Sequence, residues 1–211
     1  MRRQYKNRLN KYLRHDYFDN INTQEKAYWL GFIVGDGCLY KTSNGSAVIQ
    51  IMLQKRDGSH LEKFAKALHW PHPVYYYRNT SRLCVTSPHM YESLVKLGVT
   101  PRKTFSIKFP RVAKNLEIHV LRGIFDADGC ITEDRIKRKP GFSLAGTKHI
   151  LMASKRILGL NNKICRHTTI FQISCGGRNV IYEIYKKLYR NAKISLDRKL
   201  EKFEALYAGN E

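Results

Sequence analysis

Two stretches of the chain share one design. AYWLGFIVGDGCLY (27–40) and VLRGIFDADGCIT (120–132) are apolar runs broken by small residues at matching offsets, and Asp36 and Asp128, 92 positions apart, each stand before Gly-Cys. Gly31 and Gly35 are separated by one helical turn, as are Gly123 and Ala127. Small residues at i and i+4 fall on one face of a helix and let another backbone approach closely. The other faces are apolar (Trp29, Leu30, Phe32 and Ile33; Leu121, Ile124 and Phe125), as a helix covered on several sides requires. Two such helices are expected to pack on each other at a pseudo-two-fold axis, with Gly37 and Gly129 as left-handed residues closing their C-termini.

The likeness continues downstream. SAVIQIMLQ (46–54) alternates, with Ala47, Ile49, Ile51 and Leu53 on one face and Ser46, Gln50 and Gln54 on the other, the pattern of a half-buried strand. In DGSHLEKFAKAL, Leu61, Phe64, Ala65 and Leu68 recur at helical spacing, and Asp57 stands where a cap belongs. VYYYR and RLCVT read as two short strands. SPHMYESLVKLG reads as a helix with Ser87 at its N-cap, Pro88 in its first turn and Gly98 past its end. The second half repeats the order: FSLAG (142–146) as a strand, TKHILMASKRIL as a helix, KICRHTT and IFQIS as a strand pair, NVIYEIYKKL as a helix, and SLDRKLEKFEALY as a last helix. The reading is an α+β chain of two pseudo-symmetric αββαββα halves. Its divisions are a basic arm (1–20), a first half (21–99), a Pro- and Lys-rich linker (100–116) and a second half (117–211). Matching order with matching motifs favours duplication over two unrelated domains.

Charge narrows the partners. The 211 residues carry 38 Lys and Arg against 17 Asp and Glu, a formal net charge of +21. Such an excess makes a strong positive field, and the commonest polyanion to meet it is nucleic acid. No apolar run approaches the ~18 residues of a membrane span, so no membrane partner is expected. The start MRRQYKNRLNKYLRH lacks an apolar core and is not a secretory signal; the expected place is the cytoplasm of a bacterial, phage or archaeal system, or an organelle. The five cysteines include no CxxC pair, so neither a disulfide framework nor a zinc knuckle fits, and they are expected to be half-buried thiols.

Packing alone does not account for Asp36 and Asp128. A carboxylate in the last helical turn opposes the negative end of the helix dipole at a cost of ~0.3–1 kcal/mol. If the helices pair in parallel, the two acids also repel. The arrangement makes sense if divalent cations sit between them, because hard oxygen ligands hold Mg²⁺ alongside substrate phosphates.

WLGFIVGDG (29–37) and LRGIFDADG (121–129) match, position for position, the nine-residue motif of the LAGLIDADG homing endonucleases, and the chain resembles the monomeric, two-motif form of that family. GVTPRKTFSIKFP and ISLDRKLEKF resemble further segments of it. The departures are Val34, where the consensus has its first Asp, and Gly35 for Ala. The resemblance implies two four-stranded antiparallel DNA-binding sheets forming a saddle over the major groove, with the motif helices central. It implies hydrolysis of both strands of a long double-stranded DNA target, leaving short 3′ overhangs and promoting mobility of an intron or gene. Two or three Mg²⁺ ions are implied, with Mn²⁺ as a substitute, on Asp36, Asp128, Gly35 and Ala127. Gln54 is implied as an auxiliary polar residue whose second-half counterpart falls near Gly146–Lys148. Lys103 and Lys199 are implied as basic residues that stabilise developing charge or activate water; solvated surface charges are the plainer alternative. With both motifs in one chain, a monomer is expected.

The strand alternation agrees with a nucleic-acid surface. Leu83 and Val85 face inward and leave Arg82, Cys84 and Thr86 outward; Phe171 and Ile173 leave Gln172 and Ser174 outward. Gln50, Lys55, Tyr75, Tyr77, Lys137, Arg138, Lys139 and Arg166 complete the candidate DNA-binding set, with sheet packing as the alternative for the tyrosines. The basic arm either tracks the phosphate backbone or is a disordered tail. An intron-encoded RNA maturase or a non-catalytic DNA-binding regulator on the same fold is the competing expectation.

Overall fold

The computed structural model describes residues 11–133, 139–167 and 169–207. The first half runs α1 (Gln24–Asp36), β1 (Gly37–Lys41), β2 (Ala47–Gln54), α2 (Gly58–Ala67), β3 (Tyr75–Tyr77), β4 (Thr80–Thr86) and α3 (Pro88–Lys96). The second runs α4 (Glu117–Asp128), β5 (Gly129–Glu133), β6 (Pro140–Gly146), α5 (Lys148–Leu158), β7 (Ile164–His167), β8 (Ile170–Gly176) and α6 (Arg178–Tyr189), with α7 (Asp197–Ala205) added at the end. Each half folds a four-stranded antiparallel sheet, β1-β2-β4-β3 in one and β5-β6-β8-β7 in the other. The αββαββα repeat is therefore present twice, and the first strand of each sheet starts at the motif's last glycine.

Among the described residues the sheets are covered on one face only. Leu39, Ile49, Ile51, Leu83 and Val85 of the first sheet, and Ile131, Phe142, Leu144 and Ile173 of the second, point into the core beneath the helices. Ser87 caps α3 by accepting from the Met90 N–H, and Thr147 caps α5 by accepting from the Ile150 N–H. Asp57 precedes α2 as expected but makes no side-chain cap; its buried carboxylate takes both ends of the Arg198 guanidinium at 3.1 and 3.0 Å instead. A bidentate ion pair to a buried carboxylate outcompetes a cap, and here it ties α7 to the first half. Lys63 and Asp197 add a second bridge at 2.6 Å, and Arg122, buried in α4, donates to the carbonyls of Leu188 and Ile194.

Helices α1 and α4 meet backbone to backbone. A Cβ added at Gly31 would lie 2.0 Å from the Val120 carbonyl oxygen, and one at Gly123 would lie 2.1 Å from that of Tyr28. A Cβ at Gly35 would meet the Ala127 methyl at 2.4 Å. The i, i+4 small residues are thus the contact itself. Gly37 and Gly129, however, are extended (φ −77° and −83°) rather than left-handed, because the chain passes straight from helix into strand. Glycine is needed there for space: a Cβ would stand 2.6 Å from the Ile33 oxygen, or 2.0 Å from the Phe125 ring.

The flanking segments also pack. Leu13, Tyr17 and Phe18 of the region assigned to the arm are buried, and the Arg14 N–H donates to the Leu68 carbonyl. Between the halves, Ile107 and Leu116 are buried and the Thr147 hydroxyl donates to the Ile107 carbonyl at 2.6 Å, so the connector lies against the second half.

Candidate active site

Asp36 and Asp128 are the last residues of α1 and α4. Because those helices touch through glycine, their ends cannot diverge, and a Cβ at Gly35 would stand 2.9 Å from an Asp128 carboxylate oxygen. The Asp36 carboxyl is raised to about 6, first by burial and then by the Asp128 charge, with Lys199 and Lys103 pulling it down. Asp128 is exposed where Asp36 is half-buried, and it lines the cavity beside Gly35 and Lys103; desolvation by the protein around it still raises its carboxyl, against the pull of Lys103 and Lys199.

Two lysines close the site from the segments that follow each sheet. Lys103 donates to the Gly35 carbonyl at 2.9 Å, and Lys199 donates to the Phe125 carbonyl while lying over the Phe125 ring. Lys199 is 5% exposed, and burial lowers its ammonium to about 8 against the pull of Asp126, Asp36 and Asp128. Lys103 is lowered in the same way, with Asp128 and Asp36 opposing the shift. These are not solvated surface charges. A cavity of about 200 Å³ opens on the Lys103 side, lined by Gly35, Lys103, Asp128, Ala145 and Thr147.

Among the described residues no group of three or more His, Cys, Asp or Glu side chains converges. The donors at the centre are two carboxylates and the helix-end carbonyls of Gly35 and Ala127, an all-oxygen set suited to a hard cation that takes its remaining ligands from water and phosphate. The Gly35 carbonyl is shared with Lys103, and its second lone pair remains.

Gln54 ends β2 opposite Thr80 and is exposed beside Lys55, Arg56 and Asn79. Strand register identifies its counterpart: Ile51 pairs with Gly37 and Leu144 with Gly129, so Gln54 corresponds to Thr147. The Thr147 hydroxyl is already engaged with Ile107 and Ile150, so the two halves differ here.

The open faces carry Gln50, Arg82, Tyr75 and Tyr77 on the first sheet and Gln172 on the second. Tyr75 and Tyr77, 55% and 54% exposed, stack at 6.5 Å, and the Arg82 guanidinium lies over Tyr75 at 5.3 Å. Arg166 is exposed but pairs with Phe171, which puts it on the opposite face from Gln172, and Cys165 takes the place beside Gln172. Lys139 is exposed just before β6, while Lys137 and Arg138 lie outside the described residues. The cysteines depart too. Cys38, Cys130 and Cys165 are exposed because the register puts them on open faces; Cys84 and Cys175 are half-buried.

The alternation of apolar residues gave no sign of a buried polar network behind the site. Asp126 accepts from the Tyr28 hydroxyl (2.7 Å), the Leu196 N–H (2.7 Å) and the Tyr189 hydroxyl, and the Tyr28 hydroxyl also pairs with His60 at 2.8 Å. It joins the halves through the position that Val34 fills in the first motif. The available signal was Arg122 and Asp126, one turn apart in the otherwise apolar stretch 120–127.

Paired αββαββα halves, joined through glycine-packed motif helices that end in carboxylates, are the architecture of the LAGLIDADG homing endonucleases, and this chain has that fold in its single-chain form. It is similar to the LAGLIDADG meganuclease I-AabMI bound to uncleaved DNA (TM-score 0.60, 12% identity, 86% of this chain and 88% of that one). It is also similar to the I-LtrWI LAGLIDADG homing endonuclease bound to target DNA (0.60, 10%, 92% and 89%). A third is the I-SmaMI LAGLIDADG homing endonuclease bound to cleaved DNA (0.58, 12%, 90% and 89%). No protein-family model and no curated protein sequence matches the chain. Among the described residues no helix is long and apolar enough to cross a membrane.

Proposed function

We propose that the chain is a monomeric, site-specific DNA endonuclease that makes a Mg²⁺-dependent double-strand break with short 3′ overhangs, promoting the mobility of its own intron or gene. The observation that carries this reading is the placement of Asp36 and Asp128 side by side on glycine-packed helix ends, within the field of the half-buried Lys103 and the buried Lys199. Divalent cations, two or three Mg²⁺ or Mn²⁺, would be held by the two carboxylates and by the Gly35 and Ala127 carbonyls. When bound they would neutralise phosphate charge and lower the pKa of water. The carboxylates must be ionised for this, which the raised Asp36 pKa of about 6 delays toward neutral pH. Lys199, lowered to about 8, can hold positive charge beside the reacting phosphate or accept a proton from water in mildly alkaline solution. Lys103 keeps the Gly35 carbonyl in place and adds positive charge on the other side. A net charge of +21 serves the duplex backbone.

The test is incubation of the purified chain with Mg²⁺ and DNA spanning the uninterrupted insertion locus. Asp36→Asn and Asp128→Asn should each keep DNA binding and lower cleavage by about 10²-fold or more, with both strands slowing together because the carboxylates adjoin. Undiminished double-strand cleavage by both variants rejects the assignment. Tight binding of intron RNA with no DNA cleavage by the native chain points to the maturase instead.

A further inference from the structure

The two sheets are paired in the same register, so their open faces can be compared position by position. Cys38 and Cys130 occupy the same place. Across the three rows that contain Tyr40, Cys38 and Met52, every other position has the smaller side chain on the second sheet. Gln50 corresponds to Ser143, Arg82 to Gln172, Tyr75 to Cys165 and Tyr40 to Thr132; two further positions are glycines, Gly141 and Gly176, where the first sheet has Val48 and Thr86.

The long side chains of the first sheet are also held in place. Arg82 lies over Tyr75, which stacks on Tyr77, and the Gln50 carbonyl accepts from the Tyr40 hydroxyl (3.3 Å) and the Cys84 thiol (3.4 Å), leaving its amide N–H groups free to donate outward. On the second sheet, Gln172 spends an amide N–H on the Ser174 hydroxyl at 3.0 Å. Direct readout needs a donor or acceptor within about 3 Å of a base edge; Arg82 can do this bidentately, and Gln50, its carbonyl already taken, as a fixed N–H donor. Apart from Gln172, the floor of Ser, Thr, Cys, Ala and Gly ends close to its own backbone and leaves room for a layer of bridging water.

We infer that the chain reads its target asymmetrically: the first sheet, through Arg82 and Gln50, specifies the bases of one half-site, and the second sheet holds the other half through backbone and water-bridged contacts. This rests on the chain being a DNA-binding nuclease. Base changes in the first half-site then weaken binding by about tenfold each, and those in the second by about threefold or less.

The experiment is selection of duplexes from a randomised library by the full chain in EDTA, so that binding alone is read, followed by single-base substitution across the central base pairs of each half-site. One half should be sharply constrained and the other loosely. Arg82→Ala and Gln50→Ala should flatten the sharp half, while Ser143→Ala and Gln172→Ala should leave the sharp profile unchanged and move the loose one by about threefold or less. Ser174→Arg should add a base preference to the loose half. Two equally constrained half-sites, or a sharp half that responds to Ser143→Ala and Gln172→Ala instead, overturn the inference while leaving the nuclease reading intact. A chain that selects no DNA sequence overturns both.

Discussion

Replacing Asp36 by Asn should make the free protein more stable, and the gain should depend on pH in a way that packing cannot imitate. The carboxyl is raised from 3.8 to about 6 in the folded chain, chiefly by burial and then by Asp128. A raised acid favours folding fully below its unfolded pKa and loses that contribution as pH climbs through the folded value, so the ionised form works against the fold above about pH 6. Linkage between those two values gives a penalty of about 3 kcal/mol at pH 8 that falls to well under about 1 kcal/mol at pH 4. Asn is nearly isosteric and carries no charge, so Asp36→Asn removes the penalty. For a chain of this size ~1 kcal/mol moves Tm by about 2–4 °C, which puts the gain at about 6–12 °C at pH 8 and about 1–2 °C at pH 4. The assay is thermal unfolding in EDTA across pH 4–8, repeated with millimolar Mg²⁺. In Mg²⁺ the native chain should recover stability by binding and the variant should not. A Tm that falls, or that rises equally at pH 4 and pH 8, would falsify the claim that Asp36 is held as a desolvated, repelled carboxylate.

Gly31→Val should disrupt the pairing of the halves, because its Cβ would stand 2.0 Å from the Val120 oxygen and neither backbone can yield; a loss of about 4 kcal/mol or more in denaturant unfolding is expected, against about 1–2 kcal/mol for Gly45→Ala, where space is open and only the left-handed backbone (φ +79°) opposes a side chain. Lys199→Met should lower the cleavage rate by about 10²-fold with DNA affinity changed less than about threefold, and the native rate should still be rising between pH 7 and 8 where its ammonium, lowered to about 8, begins to lose its proton. DNA affinity should fall with salt with a log–log slope steeper than about −5, since each neutralised phosphate contributes about −0.9; a flat dependence in a filter-binding titration rejects the backbone role of the +21 charge.

Much of this was legible in the order of the residues. The i, i+4 small residues of the two motifs determined which helices meet, because only a face without side chains admits backbone contact at that distance. The alternation in 46–54, 82–86 and 170–174 determined the inward and outward sides of strands, because the side-chain period of a strand is two. The repeat of these patterns determined the two halves, and the paired terminal acids pointed to the centre of the site. Tertiary structure decided what depends on neighbours remote in sequence. Gly37 and Gly129 are extended because a strand follows directly, and Asp57 leaves its helix to meet Arg198, 141 residues away. Arg166 turned to the helix side because its strand is positioned by β8, whose register no local pattern contains. The carboxyl of Asp36 and the ammonium of Lys199 are shifted by burial that arises only when both halves close over them. Asp126 gathers Tyr28, Tyr189 and Leu196 from separate elements into one buried knot, which no window of sequence could contain. Periodicity is a local property and survives in one dimension; desolvation and long-range pairing exist only once the chain has folded.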